Sequence, residues 1–163
     1  MDTDYDIPKQ DSTFRLFLEN NQIEYVSSLA ERYRLYKSVW PYHESGGTVA
    51  QFGDIIYISY SGYLFAQTPS TFGQGSIFTT NIAADTVGTG WKSNELLPLT
   101  PAFFILGSGS TLRGIDLGLE GSAKGDTVRL YLNADLAYGD KSVGLISPGT
   151  PVVFKIYIED IRK

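Results

Sequence analysis

Phe14, Phe17 and Leu18 recur at i, i+3 and i+4, the spacing that brings side chains onto one face of a 3.6-residue helix. Residues 12–21 are therefore expected to form a short amphipathic helix, capped by Asp11 or Ser12 and stopped by Asn20-Asn21. Residues 1–11 precede it without a period and read as a mobile acidic leader. Ser28 and Glu31 stand at capping-box spacing and predict a second short helix. Residues 34–40 fit either its continuation or a strand, and Pro41 ends both.

From residue 53 the period becomes two. Ile56, Ile58 and Tyr60 fall on one face of residues 54–62, and Ile55, Tyr57 and Ser59 on the other. This predicts a strand partly covered on both sides. Residues 103–106 read as another strand. Residues 110–119 read as a helix, with Ser110 as cap and Leu112, Ile115 and Leu119 along one face. Gly121 and Gly125 turn the chain, and residues 126–132 and 151–161 alternate as two further strands. Residues 66–100 are rich in Thr, Ser, Gly, Asn and Pro, and are too long for an ordinary connection. The sum is an α+β chain: a small antiparallel sheet with one helix on a face.

Composition narrows the chemistry more than the fold. The 163 residues suit one domain with an appended arm. Eighteen acidic against 13 basic residues give a net charge of −5, the opposite of the basic stripe that marks a nucleic-acid binder. No apolar run reaches the ~18 residues of a membrane helix. There are no cysteines, so thiol catalysis, disulfides and cysteine-held metals are excluded. The single His43 rules out a two-histidine metal site, and its Pro41, Tyr42 and Ser45 neighbours suggest a surface loop. No metal and no cofactor are expected. No basic and apolar signal segment follows Met1.

Two motifs invite catalytic readings. Gly107, Gly109 and Gly114 surround a strand-to-helix turn, as a phosphate-binding loop would. Leu112 occupies the position where a dinucleotide fingerprint needs its third glycine, and no Gly-Lys-Ser/Thr follows, so a tight turn is the better reading. Asp116 and Glu120 are four apart on the expected helix. A carboxylate pair can do acid–base work, but two acids on the polar side of an exposed helix are ordinarily solvated. The 11 Tyr and 9 Phe serve either a core or a concave apolar pocket.

A series of short motifs carries a resemblance. In order come Gly53-Asp54, Tyr60-Ser-Gly-Tyr-Leu64, Gly75-Ser-Ile-Phe78, Phe104-Ile-Leu-Gly107, Leu112-Arg-Gly114, Gly118-Leu-Glu-Gly-Ser-Ala-Lys-Gly125, Ala137-Tyr-Gly139, Ile146-Ser-Pro148 and Val152-Val-Phe154. Over residues 53–163 the chain resembles the FKBP-type peptidyl-prolyl isomerases. The resemblance implies a twisted antiparallel sheet wrapped around one short α-helix. It also implies a division into an acidic leader and N-terminal helical arm at 1–47 and an FKBP-like domain at 48–163, with an insertion at about 66–100.

The implied activity is rotation about X-Pro bonds, whose barrier of ~18–20 kcal/mol comes from amide resonance. Taking the prolyl amide out of water weakens that resonance, so a preorganised apolar pocket with a few donors suffices. The implied catalytic residues are Tyr60, Phe78, Tyr138 and Phe154. The implied substrate-binding residues are Phe103, Leu112, Ile115 (the pocket floor), Leu145 and Ile146. The Tyr138 hydroxyl and the Leu112 backbone N–H would hold substrate carbonyls.

Three positions depart from the family pattern. Thr79 stands where the family has Asp, Ala102 where it has an aromatic that adjacent Phe103 would replace by swinging in, and Ile115 where Trp is common. The expected partners are proline-containing polypeptides and a macrolide inhibitor, with no nucleic acid, no membrane-spanning segment and a monomeric chain. Phe17-Leu-Glu-Asn-Asn21 is similar to arms on exported bacterial members. That implies a periplasmic or lipid-anchored envelope protein whose export leader is absent from this chain. A second reading stays open: the same fold with a degenerate pocket, binding a protein partner through the 66–100 insert.

Overall fold

The computed structural model describes residues 6–30, 33–40, 48–65, 77–82, 102–142 and 146–163. Helix α1 spans Ile7–Asn20 and begins earlier than its apolar face suggests. Asp6 is the cap: its carboxylate accepts from the Lys9 N–H at 3.1 Å, and Pro8 in the first turn needs no helical partner for its nitrogen. Residues 7–11, expected in the leader, are helical. The helix ends at Asn21 as the Asn pair predicts.

The second helix expected from Ser28 does not exist. That segment is strand β1 (Val26–Ala30), paired antiparallel with β2 (Tyr33–Trp40). Capping-box spacing stabilises a helix only where a helical run follows. Here β2 offers five paired positions instead, and tertiary pairing overrides a local signal. β2 then pairs with β6 (Thr127–Leu132), β6 with β7 (Val152–Arg162), and β7 with β3 (Ile55–Leu64) along its whole length. Two short strands share the far edge of β3. β4 (Ile77–Thr80) pairs near residues 61–63, and β5 (Ala102–Ile105) near residues 55–58. All seven strands among the described residues belong to one antiparallel sheet.

The period-two pattern sorts the two faces. Leu35, Ile56, Ile58, Val128, Leu130, Leu132, Val152, Phe154 and Ile156 are buried on the inner face, against helix α2 (Arg113–Gly118) and its neighbours Leu119 and Leu136. Gly114 and Gly118 let α2 lie flat on β6. A Cβ at Gly114 would collide with the Leu132 side chain and meet the Leu136 carbonyl at 2.9 Å. The outer face carries a second core, in which Phe14, Phe17 and Leu18 of α1 cover Tyr36, Tyr131 and Val153. Further polar contacts fasten α1: Gln10 donates to the Gly149 carbonyl and accepts from the Ala134 N–H, and Asn133 donates to Asp11. No described helix is long and apolar enough to cross a membrane.

Candidate functional site

The inner face of β3 is not filled to its end. Between β3, β5, α2 and the turn after β6 the structure leaves a half-open cavity of about 260 Å³. Ile58 and Tyr60 line it from β3, Thr79 from β4, and Ala102 and Phe104 from β5. Leu112 and Ile115 come from the start of α2, Tyr138 from the turn after β6 and Phe154 from β7. Ser110 and Thr111 stand at the mouth.

The aromatic wall depends on one glycine. A Cβ at Gly62 would lie 2.9 Å from each of Phe154, Phe78 and Thr79. Its absence lets these side chains close over β3. Phe78 meets Tyr138 edge-on at 6.0 Å and Phe154 edge-on at 5.7 Å, a geometry favoured by the ring quadrupole. Tyr60 stands 6.4 Å from Phe154. Asn81 fixes the backbone that carries Tyr60, accepting from the Tyr60 N–H at 2.6 Å and donating to the Ile58 carbonyl at 3.1 Å.

The polar groups in the cavity are neutral. Burial pushes the Tyr60 hydroxyl above the ordinary tyrosine range, with a hydrogen bond to Thr79 acting the other way. Burial raises Tyr138 as well, and its neighbour Tyr60 adds to the rise. Both hydroxyls hold their protons at neutral pH and can donate. Among the described residues no lining side chain carries a charge. The cavity can therefore take up an uncharged group, strip its water and offer it hydroxyl donors. No cluster of ligands that could hold a metal occurs among the described residues.

The turn between β5 and α2 is shaped by Asp116. Asp116 is expected to be solvated as one of a carboxylate pair on an exposed helix, but it is 6% exposed. One carboxylate oxygen accepts from the Gly107 N–H and the other from the Gly109 N–H, each at 2.9 Å. Both glycines have positive φ, which presents their N–H groups to one anion. Glu120 is exposed, as expected. Ser110 does not cap α2. Its hydroxyl bonds to Ser108, and the helix starts at Arg113, after Leu112 in extended conformation.

Of the residues expected at the site, Tyr60, Tyr138, Phe154, Leu112 and Ile115 converge on the cavity. Phe78 stands behind its wall, touching Tyr138 and Phe154. Ile146 is 2% exposed within the inner core, away from the lining. Phe103 borders the mouth but does not swing in. Strand alternation sends its ring to the outer face, where it lies 5.5 Å from Tyr57. The inward neighbours on β5 are Ala102 and Phe104, and Phe104 supplies the aromatic that Ala102 lacks. Leu145, His43 and most of residues 66–100, where an insertion is expected, lie outside the described residues.

This arrangement of cavity, floor helix and edge strand has relatives. The family model described as FKBP-type peptidyl-prolyl cis-trans isomerase matches residues 94–159, a stretch that takes in β5, α2, β6 and most of β7. The sequence matches support the FKBP-type family for this chain. Members of that family are peptidyl-prolyl cis-trans isomerases. An FK506-binding protein of Streptomyces anulatus is 29% identical over 120 residues, 72% of this chain and 77% of that protein. The peptidyl-prolyl cis-trans isomerase FPR2 of Saccharomyces cerevisiae is 34% identical over 64 residues, 39% of this chain and 47% of that one. FK506-binding protein 5 of Dictyostelium discoideum matches 68% of this chain at 29% identity, but the match takes in 6% of its own length. The crystal structure of FkpA from Escherichia coli shares the fold with a TM-score of 0.63 at 19% identity, covering 96% of this chain and 61% of that chain.

Proposed function

We propose that this chain is itself a peptidyl-prolyl isomerase and folding helper, and that X-Pro bonds turn in the 260 Å³ cavity. The carrying observation is the convergence of Tyr60, Ile115, Tyr138 and Phe154 on an uncharged concavity with hydroxyl donors at its wall. The prolyl ring would rest on Ile115 between Tyr60 and Phe154. Ground-state amide resonance separates charge, and the twisted state does not, so an apolar wall favours the twisted state. The Tyr138 hydroxyl and Leu112 N–H would orient flanking carbonyls while the bond rotates. Phe78 would keep Tyr138 and Phe154 in place from behind. Leu145 and Phe103 would extend the rim, and Ile146 would act through the core beneath it. Macrolide binding belongs to the same proposal, because such a ligand would fill the same concavity. So does the envelope location that the arm's resemblance implies, which cell fractionation tests.

Exchange of a short Xaa-Pro peptide, followed by NMR, is the direct test. Wild type should accelerate exchange, and Tyr138→Phe should reduce kcat/KM about fivefold, the loss of one hydrogen bond of ~1 kcal/mol. Thr79 and Ala102, standing where the family has Asp and an aromatic, support a second reading as a binding module with a degenerate pocket. No acceleration across several Xaa residues would decide for it.

A further inference from the structure

Exposed apolar side chains gather beside the cavity. Phe103 is 69% exposed, Ile105 51% and Phe52 51%. Phe103 and Ile105 alternate on β5 and so share its outer face, with Tyr57 and Ile55 directly opposite on β3. The Phe52 ring lies against Gly107, just past Ile105, where any Cβ would meet it at 2.7 Å. Phe52 also walls one end of a second, larger groove of about 740 Å³, lined otherwise mainly by polar groups such as Ser108, Arg113 and Glu120, which shares Thr111 with the prolyl cavity. Phe103 borders the prolyl cavity at its other side. Cavity, apolar strip and groove thus run continuously around β5 and the turn that follows it. Among the described residues no strand pairs the second edge of β5.

We propose that this surface docks an apolar flank of the same polypeptide whose X-Pro bond occupies the cavity. The proposal rests on the isomerase reading above. Continuity selects the occupant: a chain leaving the cavity beside Phe103 passes directly onto the strip of Phe103, Ile105 and Phe52. An extended flank advances about 3.3 Å per residue, so four residues follow β5 from end to end. Main-chain pairing to a strand edge accepts varied sequences, while exposed aromatic and aliphatic side chains select for apolar ones. Both suit a chain that has not finished folding.

The test compares Phe52→Ser, Ile105→Ser and the double variant with wild type on two substrates. One is a proline tetrapeptide; the other is a longer peptide with the same core and a flank of Leu and Phe. Neither substituted residue borders the prolyl cavity. The double variant should keep the wild-type kcat/KM on the tetrapeptide, while its KM for the flanked peptide rises about tenfold. An unchanged KM for the flanked peptide overturns the proposal. So does a wild type that gains nothing when a Ser/Gly flank is replaced by Leu and Phe. Fluorescence anisotropy of the labelled flanked peptide separates this surface from the isomerase reading. If wild type leaves the tetrapeptide untouched, the isomerase reading fails, and anisotropy still judges the surface. Binding weakened about tenfold in the variants upholds it, and binding unchanged by them overturns it.

Discussion

Replacing Asp116 by Asn changes one oxygen to an amide nitrogen and tests how the floor of the cavity is held. In the native turn both carboxylate oxygens accept backbone N–H groups at 2.9 Å, and the side chain is 6% exposed. An asparagine can satisfy one of these donors and must face its own N–H₂ toward the other. A hydrogen bond to a charged group contributes ~1.5–3 kcal/mol, and the surviving neutral one ~1 kcal/mol. One bond is lost outright and the other weakened, so the change should cost about 2–5 kcal/mol. Gly107 and Gly109 are exposed, so water can reach their N–H groups and keeps the cost from climbing further. Asp116→Ala, which lets water in without a misdirected donor, should cost no more than Asp116→Asn. Urea unfolding monitored by circular dichroism measures both. Peptide exchange should also slow in the folded variants, because residues 110–112 hang from this turn. A Asp116→Asn variant within 0.5 kcal/mol of wild type, with undiminished exchange, would refute the account of the turn as an anion clamp.

Phe154→Ala removes a 3% exposed ring shared by core and cavity; it should cost about 3–5 kcal/mol in urea unfolding and lower peptide exchange by more than Tyr138→Phe does. Phe14→Ala empties the outer core under α1 and should cost a similar ~3–5 kcal/mol, yet leave exchange of a short peptide unchanged, since the cavity lies on the opposite face of the sheet. Asp54 is held below the usual carboxylate range, first by the Lys163 ammonium at 2.7 Å and then by the Gln51 N–H. A depressed folded-state value stabilises the protein above the unfolded value near ~3.9 and loses that contribution as the pH falls through the folded one. Asp54→Asn should therefore lower Tm at pH 7 and narrow the difference in Tm between neutral and strongly acidic solution.

Strand β3 was legible because its apolar positions alternate over a long run and both faces meet partners. The face of α1 was legible from three residues, but its start was not. Asp6 and Pro8 cap a first turn that contributes nothing to the buried face, and hydrophobic spacing is silent there. Ser28 misled because a cap signal is local, whereas the partner of β1 lies across a hairpin that supplies the whole pairing. The cavity itself was readable only through motif resemblance. Tyr60, Leu112, Ile115, Tyr138 and Phe154 come from four separate elements, and no periodicity links them. Asp116 escaped for a related reason. Its role depends on two backbone donors whose direction is set by positive φ, a property that residue type alone does not specify. Alternation along β5 could have placed Phe103 outward, since Ala102 and Phe104 already occupy the inward positions.

The pairing of β2 with β6 has a consequence for how the chain is made. Tyr36 lies beside Tyr131 in the finished sheet, and Gln10 reaches Gly149 across 139 positions. On the ribosome the N-terminal hairpin emerges with the side of β2 that will receive β6 still vacant. At ~5–20 residues per second, that vacancy lasts on the order of ten seconds before β6 is synthesised. The apolar stripe of α1 meanwhile has Ile23, Tyr25 and Tyr36 of its eventual bed, while Phe65, Tyr131 and Val153 arrive later. A protein proposed to attend unfinished chains is thus, during its own synthesis, a chain with an open strand edge and a partly covered helix. Nascent copies translated side by side would be the nearest competitors for both.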